Sequence, residues 1–275
     1  MSVLLQISDT HFGTEQPHVV DALLRLKQEI EPEVIVWSGD ITQRARRAQF
    51  EAAGSFLEQL KPARVLSIPG NHDIPLFNLP ARLFFPYAGY MRIFGSDLEP
   101  QHESDDLRVL CINTTRRYRH VDGEISPAQI ERAARWLMQG AKECVRIVVT
   151  HQPVHVIKEK DEKNIVHGHE AAVRRWVQAG ADVVMGGHIH LPYVRPLDER
   201  FAGLPRRAWS VQAGTALYRR VRHGAPNSVN LLRRISGNPP VCVVERWDYE
   251  ASLACFSLVE THRLAVDRTR IDPLN

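Results

Sequence analysis

The chain lacks several features that would place it in a specialised class. Its 275 residues carry a formal net charge of only +3, too small to indicate nucleic-acid binding by itself. The four cysteines show no CxxC spacing and sit in or beside apolar runs, which indicates buried thiols in a reducing compartment. No apolar run has transmembrane length, and the N-terminus lacks the basic segment and cleavage site of a signal peptide. These absences predict a soluble cytoplasmic protein with no membrane span.

The composition is otherwise that of an ordinary globular protein. Hydrophobic residues make up 44% and charged residues 24% of the chain, so disorder is not indicated. We find no internal repeat, low-complexity run or linker, and we therefore predict one domain over residues 1–275. Three arginine clusters, at 44–47, 116–119 and 219–222, are typical of solvated faces, and contact with an anionic substrate is the alternative. The oligomeric state is not predicted.

The first part of the chain alternates between two kinds of apolar pattern. Residues 3–8, 33–38 and 63–68 are short β-branched and leucine-rich runs, which predict strands. Between them, Pro17–Ile30 and residues 43–60 have apolar positions at helical spacing. This β-α-β-α-β order implies parallel strands whose C-termini share one edge, where open α/β sheets bind ligands. Further on we predict strands at 107–113, 145–150 and 182–186, and helices at 127–139 and 169–179.

Two regions depart from this alternation. Residues 74–100 are rich in proline and aromatic residues, and we expect either short helices that shape the substrate site or a peripheral loop with its own small core. Residues 205–260 show no helical period. Successive strands at 207–213, 228–235, 241–248 and 251–260 predict an antiparallel β tail.

Five apolar runs share one property, which is that each ends in polar residues able to bind a metal, a phosphate or a proton. Taken singly, each of these ends is most simply explained as a turn or a cap. A purely structural role for all five is a weaker explanation than a shared site, because parallel strands would bring their ends to one edge. The five ends are Asp9-Thr10-His11, Gly39-Asp40, Gly70-Asn71-His72-Asp73, His151-Gln152-Pro153 and Gly186-Gly187-His188-Ile189-His190.

The types of side chain at these ends favour a pair of metal ions. Asp9 and His11 stand at i and i+2, as do His188 and His190, so each pair would point to one face of an extended strand end. Mixed carboxylate, amide and imidazole donors suit Mn, Fe or Zn better than Mg or Ca. Seven candidate donors are too many for one zinc ion but suit two ions that share a bridging carboxylate. Two ions about 3.5–4 Å apart can clamp the attacking and leaving oxygens of a phosphoester.

The five motifs, in this order across residues 3–190, resemble those of the calcineurin-like metallophosphoesterases. The resemblance implies a four-layer αββα sandwich, an α/β fold with mixed sheets, and a dinuclear centre. By position, one ion would be held by Asp9, His11, Asp40 and His190. The other would be held by Asp40, Asn71, His151 and His188, with Asp40 bridging. His72 matches the non-ligand histidine that protonates the leaving oxygen, and Asp73 would orient His72 through its other ring nitrogen.

The same resemblance implies hydrolysis of a small phosphoester by a metal-activated hydroxide. The opening run Leu5–His11 and the chain length are most similar to the bacterial cyclic-nucleotide and glycerophosphodiester phosphodiesterase branch. Here, however, Gln152 precedes Pro153, where that branch often has a histidine. A phosphomonoesterase, a protein phosphatase and a nucleotide-lipid pyrophosphatase are the enzymatic alternatives. A non-catalytic scaffold is disfavoured because no motif residue is missing, and a nuclease because no extended basic tract is present.

Overall fold

The structure is a computed structural model that describes residues 2–139, 144–222, 224–235 and 241–267. It contains two six-stranded sheets and six α-helices within these residues. The strands are β1 Val3–Ile7, β2 Val34–Ser38, β3 Arg64–Ile68, β4 Gln101–Glu103, β5 Leu107–Cys111, β6 Val145–Val149, β7 Val183–Gly186, β8 Tyr193–Pro196, β9 Trp209–Gln212, β10 Ser228–Ile235, β11 Val241–Glu250 and β12 Cys255–Ala265. The helices are α1 Pro17–Ile30, α2 Arg47–Gln59, α3 Leu79–Phe84, α4 Ala88–Phe94, α5 Pro127–Met138 and α6 His169–Gln178.

Each sheet combines parallel and antiparallel strands. The first has the order β12-β11-β10-β1-β2-β3, in which β1, β2 and β3 are parallel. The second has the order β4-β5-β6-β7-β9-β8, in which β5, β6, β7 and β9 are parallel. Because the helical crossovers between parallel strands return the chain to the same end, the C-termini of β1, β2 and β3 lie along one edge, as do those of β6 and β7.

Three hydrophobic clusters show how the layers stack. The central cluster joins both sheets, with Val36 of β2 and Met185 of β7 among its members. The other two lie between one sheet and its helices: Trp37 packs with α1, α2 and α4, and Val148 packs with α5 and α6. Adjacent residues Val36 and Trp37 thus face different layers. Strands buried on both faces read as continuous apolar runs, and this arrangement is the predicted αββα sandwich.

The tail differs from the prediction in one strand. β10, β11 and β12 are antiparallel, as expected, and the structure adds them to the first sheet. β9, which we expected to be part of the same antiparallel tail, instead joins the second sheet parallel to β7. That part of the prediction was wrong, because an apolar run indicates a strand but not the direction of its neighbour. The short strands β4 and β8 were not predicted.

The aromatic-rich insert at 74–100 has two dissimilar halves. α4 packs onto the first sheet, where Tyr90 is fully buried and its hydroxyl lies 2.8 Å from Ser67 Oγ. Residues 76–85, which include α3, instead expose most of their large apolar side chains. In the part of the chain that the structure describes, no helix has the length and hydropathy needed to cross a bilayer.

Candidate metal centre

The structure brings the polar ends of all five motif strands together at one edge of the sandwich. They follow β1, β2 and β3 of the first sheet and β6 and β7 of the second. Hydrogen bonds join the two sets directly: the backbone N–H of His188 donates to the Asp9 carboxylate (2.9 Å), and His151 Nδ1 lies 2.8 Å from the carbonyl oxygen of Ser38. The seven candidate ligands therefore lie in the seam between the sheets.

One group of donors surrounds the side chain of His11. Its Nε2 lies 3.2 Å from Nε2 of His190, and His190 Nε2 is 3.2 Å from Asp9 Oδ1. Asp40 Oδ2 completes the group at 3.8 Å from His11 Nε2. Two imidazole nitrogens facing each other beside two carboxylates form an arrangement that a shared cation satisfies.

A second group lies on the other side of Asp40. His151 Nε2 is 3.3 Å from Asp40 Oδ1 and 3.2 Å from Asn71 Oδ1. His188 joins Asp40 and His151 in a set whose donor atoms all lie within 4.8 Å of one another. Since a carbonyl oxygen only accepts, the bond to Ser38 places a proton on His151 Nδ1 and leaves Nε2 as the ring nitrogen that faces Asp40 and Asn71.

The backbone holds most of these residues in a strained conformation. Asp9, His11, Asp40, His188 and His190 all have positive φ, between 46° and 72°. We had expected each i, i+2 pair to project from extended backbone, and this reasoning was wrong although the side chains do converge. Non-glycine residues enter the left-handed region at a cost of order 1–3 kcal/mol, and such residues cluster at functional sites.

Two motif glycines are required for a close approach of the chain rather than for positive φ. Gly70 has φ −96° and ψ 178°, an extended conformation that any residue can adopt. A Cβ at Gly70 would instead overlap the backbone nitrogen and Oδ1 of Asp40, and a Cβ at Gly187 would overlap Ser8 Oγ and Asp9 Oδ2. These glycines let the strand ends after β3 and β7 pack directly against the carboxylates of Asp40 and Asp9.

His72 lies beside both groups but is oriented differently from our expectation. Its Nδ1 lies 2.8 Å from the carbonyl oxygen of Gln43, so Nδ1–H donates there and Nε2 is left for other chemistry. The predicted contact from Asp73 was wrong. The Asp73 carboxylate accepts hydrogen bonds from backbone N–H groups of Ile41 (3.0 Å), Thr42 (2.7 Å) and Gly70 (2.8 Å). Asp73 therefore fixes the loop after β2 against the loop after β3.

Burial and charge separate the histidines into two kinds. Burial lowers the pKa of His11 to about 3 and that of His188 to about 4, so both are neutral near pH 7. Burial acts the same way on His151, but the Asp40 carboxylate outweighs it and raises the pKa of His151 to about 9. Burial alone would raise the pKa of Asp40, yet the nearby His151 and His72 hold it well below its usual range.

Two buried residues that support the site were not predicted. The rings of Tyr218 and His11 pack together, with 4.3 Å between their centroids. Thr215 Oγ1 donates a 2.6 Å hydrogen bond to the carbonyl oxygen of Asp9. Both follow β9. The sequence did contain a signal, because Gly214-Thr215 comes soon after the apolar strand β9, as in the other motifs.

A cleft of about 340 Å³ opens beside His72. Its walls include polar and cationic side chains and also apolar ones, so it offers both charge and hydrophobic surface to a ligand. The lining includes Gln43, Arg44, Asn71, His72, Leu76, His120 and Val121. Of these, Asn71 and His72 were predicted as site residues, and Arg44 belongs to a cluster for which contact with an anionic substrate was the alternative. The arginines we had considered at 116–119 are partly occupied elsewhere: Arg116 donates to the carbonyl oxygen of Asn113, and Arg119 pairs with Glu124.

The αββα sandwich and its two groups of donor atoms are typical of metallophosphoesterases, and comparisons with known proteins lead to the same class. The model of the calcineurin-like phosphoesterase family matches residues 2–192, and the chain belongs to that family. No curated protein sequence matches the chain. Among solved structures, a dimetal phosphatase from Danio rerio superposes with a TM-score of 0.66 at 14% identity, covering 97% of this chain and 99% of that one. Purple acid phosphatase PPD1 from yellow lupin gives 0.68 at 11% identity, covering 96% and 53%. At these identities the similarity shows the fold alone.

Proposed function

We propose that the protein is a phosphodiesterase that hydrolyses a small phosphodiester, a cyclic nucleotide or a glycerophosphodiester, with two divalent metal ions. Family membership implies a metal-dependent phosphoester hydrolase and two ions. The observation that carries the proposal is the sharing of Asp40 by two donor groups next to His72.

The donor atoms fit a pair of ions. Asp9, His11, Asp40 and His190 would hold one, and Asp40, Asn71, His151 and His188 the other. His188 Nδ1 is buried without a hydrogen-bond partner among the described residues. Such an unpaired buried nitrogen is expected where an imidazole would bind a metal ion. Mixed imidazole, amide and carboxylate donors favour Mn, Fe or Zn. Such ions, when bound, supply an activated water and neutralise charge on the phosphoryl oxygens.

His72 is the residue of the chain placed to move a proton. Because Nδ1–H is committed to the Gln43 carbonyl oxygen, Nε2 is the atom that would carry a proton to the leaving alkoxide. The ring stands edge-on to that of His11, with 4.9 Å between centroids, so the proton donor lies next to the donor groups. Asp73 acts on this chemistry only through the loops that it joins.

The composition of the cleft supports a diester over a monoester. A diester carries a second organic group, and the apolar walls at Leu76 and Val121 would accept it. Arg44 and His120, on the same cleft, would contact phosphate or hydroxyl oxygens. A cleft of this size suits a small molecule. The similarity of Leu5–His11 to the cyclic-nucleotide and glycerophosphodiester branch points the same way.

The test is hydrolysis of bis(p-nitrophenyl) phosphate against p-nitrophenyl phosphate, with Mn²⁺ added and with metal removed by EDTA. We expect turnover that favours the diester, disappears with EDTA and returns with Mn²⁺. Turnover of the monoester alone would replace the proposal with a phosphatase. Turnover that survives complete metal removal would contradict the metal-dependent chemistry itself.

A further inference from the structure

The segment that follows the metal centre exposes an unusual amount of apolar surface. We name as the apolar platform Leu76, Phe77, Leu79, Leu83, Phe84 and Phe85, of which Phe77 is 79% and Phe85 69% exposed. Single exposed apolar residues are normal on protein surfaces, but six large ones within ten residues form a patch of the kind that marks an interaction site.

The platform is held in this orientation by its own arginine. Arg82 of α3 is buried and points inward, where it donates to the carbonyl oxygens of Arg117 (2.7 Å), Arg119 (2.7 Å) and Pro75 (3.3 Å). In return, Arg117 Nη1 donates to the carbonyl oxygen of Leu83 (2.9 Å). α3 thus buries its charged residue and exposes Leu79, Leu83 and Phe84, the reverse of an ordinary surface helix.

Positive charges predominate around the platform. Three segments contribute to it or contact it, at 41–50, 74–96 and 113–121, and none contains an aspartate or glutamate. Two of their arginines pair with acidic residues just outside these segments, Arg47 with Glu51 and Arg119 with Asp122 and Glu124. The other arginines include Arg44, whose guanidinium carbon lies 5.5 Å from the Phe77 ring centroid. Arg46 borders a cleft of about 310 Å³ that also includes Leu76 and Phe77.

We propose that the apolar platform docks the protein on an anionic phospholipid bilayer. Large apolar side chains bordered by arginines match the apolar interior and negative headgroups of such a surface. A second copy of the chain is a poorer occupant, because a symmetric contact would set arginines against arginines. A protein partner would need pockets for each projecting ring, whereas a bilayer accepts them in any arrangement. The proposal goes beyond the proposed function and does not depend on it.

The test is flotation of the full chain, stripped of metal with EDTA, on phosphatidylcholine vesicles with and without phosphatidylglycerol. We expect binding only with phosphatidylglycerol and release at high salt. The double variant Leu79→Ser/Phe84→Ser should lower the partition coefficient about tenfold for each side chain removed. Its matched control is Leu253→Ser/Leu258→Ser, which removes two similarly exposed residues near the β11–β12 turn and should leave the partition coefficient unchanged.

A second pair of variants tests the contribution of positive charge. Arg46→Gln should weaken partitioning about fivefold, since Arg46 shares a cleft with Leu76 and Phe77 and each basic residue near an anionic surface contributes roughly 1 kcal/mol. Arg263→Gln on β12 makes the same change in net charge and should have no effect. Light scattering gives the oligomeric state in parallel.

Three results would overturn the proposal. One is no binding to phosphatidylglycerol vesicles, which would assign the platform to a protein partner. Another is equal loss of binding in the two serine double variants. The last is a dimer that Leu79→Ser/Phe84→Ser converts to a monomer, which would assign the platform to a second copy. Hydrolysis of soluble bis(p-nitrophenyl) phosphate, expected to be unchanged in these variants, separates any such failure from failure of the proposed activity.

Discussion

The metal centre and the apolar platform both reverse the usual distribution of polarity, but in opposite ways. The centre buries carboxylates and imidazoles, with Asp9 and His151 fully inaccessible, and the platform exposes leucine and phenylalanine. Many of the buried polar groups of the centre have partners of complementary charge or hydrogen-bonding type, such as Asp9 and the backbone N–H of His188. On the platform, the Phe77 ring has the Arg44 guanidinium over it but is still 79% exposed. The buried polar groups are therefore balanced by the protein and by the ions that it would hold, whereas the exposed apolar groups require a partner outside the chain.

Removing the shared carboxylate should disturb the centre most. Asp40→Ala takes one donor from both groups and leaves His151 without its anionic neighbour, so metal content and diester turnover should both fall. We expect the rate to drop by about 10³-fold or more, because metal-ion chemistry supplies several kcal/mol of the barrier reduction. Metal analysis and turnover of bis(p-nitrophenyl) phosphate measure this, with Asp40→Asn as the isosteric control. An Asp40→Ala protein with full metal content and turnover would show that Asp40 does not bridge.

Removing the proton donor should separate chemistry from metal binding. His72→Ala leaves all seven candidate ligands in place, so it should retain its metal and lose about 10²–10⁴-fold in turnover of an unactivated alkyl diester, the usual contribution of a general acid. The loss should be smaller for bis(p-nitrophenyl) phosphate, because p-nitrophenolate leaves readily without a proton. Metal analysis beside turnover of both substrates makes this comparison. An equal loss for both substrates would argue against proton donation by His72.

The platform should contribute least to stability. Leu79→Ser/Phe84→Ser changes exposed side chains, so the free energy of unfolding should stay within about 0.5 kcal/mol per substitution. Phe56→Ala, in the core between the first sheet and its helices, should cost about 3–5 kcal/mol. Urea unfolding of the metal-free proteins measures both. A large loss in the double serine variant would mean that the platform is packed within the protein rather than available to a partner.

The parts of this molecule that could be predicted from sequence are those with a local physical signature. α1 was predicted with the bounds that the structure gives it, because apolar residues at helical spacing follow a proline in the first turn. The convergence of the motifs followed from the alternation of strands and helices. The direction of β9 could not be predicted, because β8 and a short 3-10 turn connect it to β7, and no helical run signals a parallel crossover.

Prediction of the site was limited in the same way, because patterns along the chain do not specify how separate loops meet. The residue types and order at the strand ends were sufficient to predict the seven candidate ligands that the structure brings together. Their assignment as ligands remains a prediction. The left-handed backbone at Asp9 and Asp40, the Gln43 carbonyl oxygen that orients His72, and the ring of Tyr218 all depend on how loops from different strands meet. No short-range pattern encodes such geometry.

The position of the centre in the seam makes its dimensions a property of the whole sandwich. Asp9 and Asp40 are carried by the first sheet and His151 and His188 by the second, and the side chains that set the spacing between sheets include Val36 and Met185. Interiors are close-packed and transmit small displacements. Adding or removing one methylene group on a side chain between the sheets could therefore change the separation of the two donor groups without contacting either. The active edge can be adjusted during evolution without altering any residue that touches it.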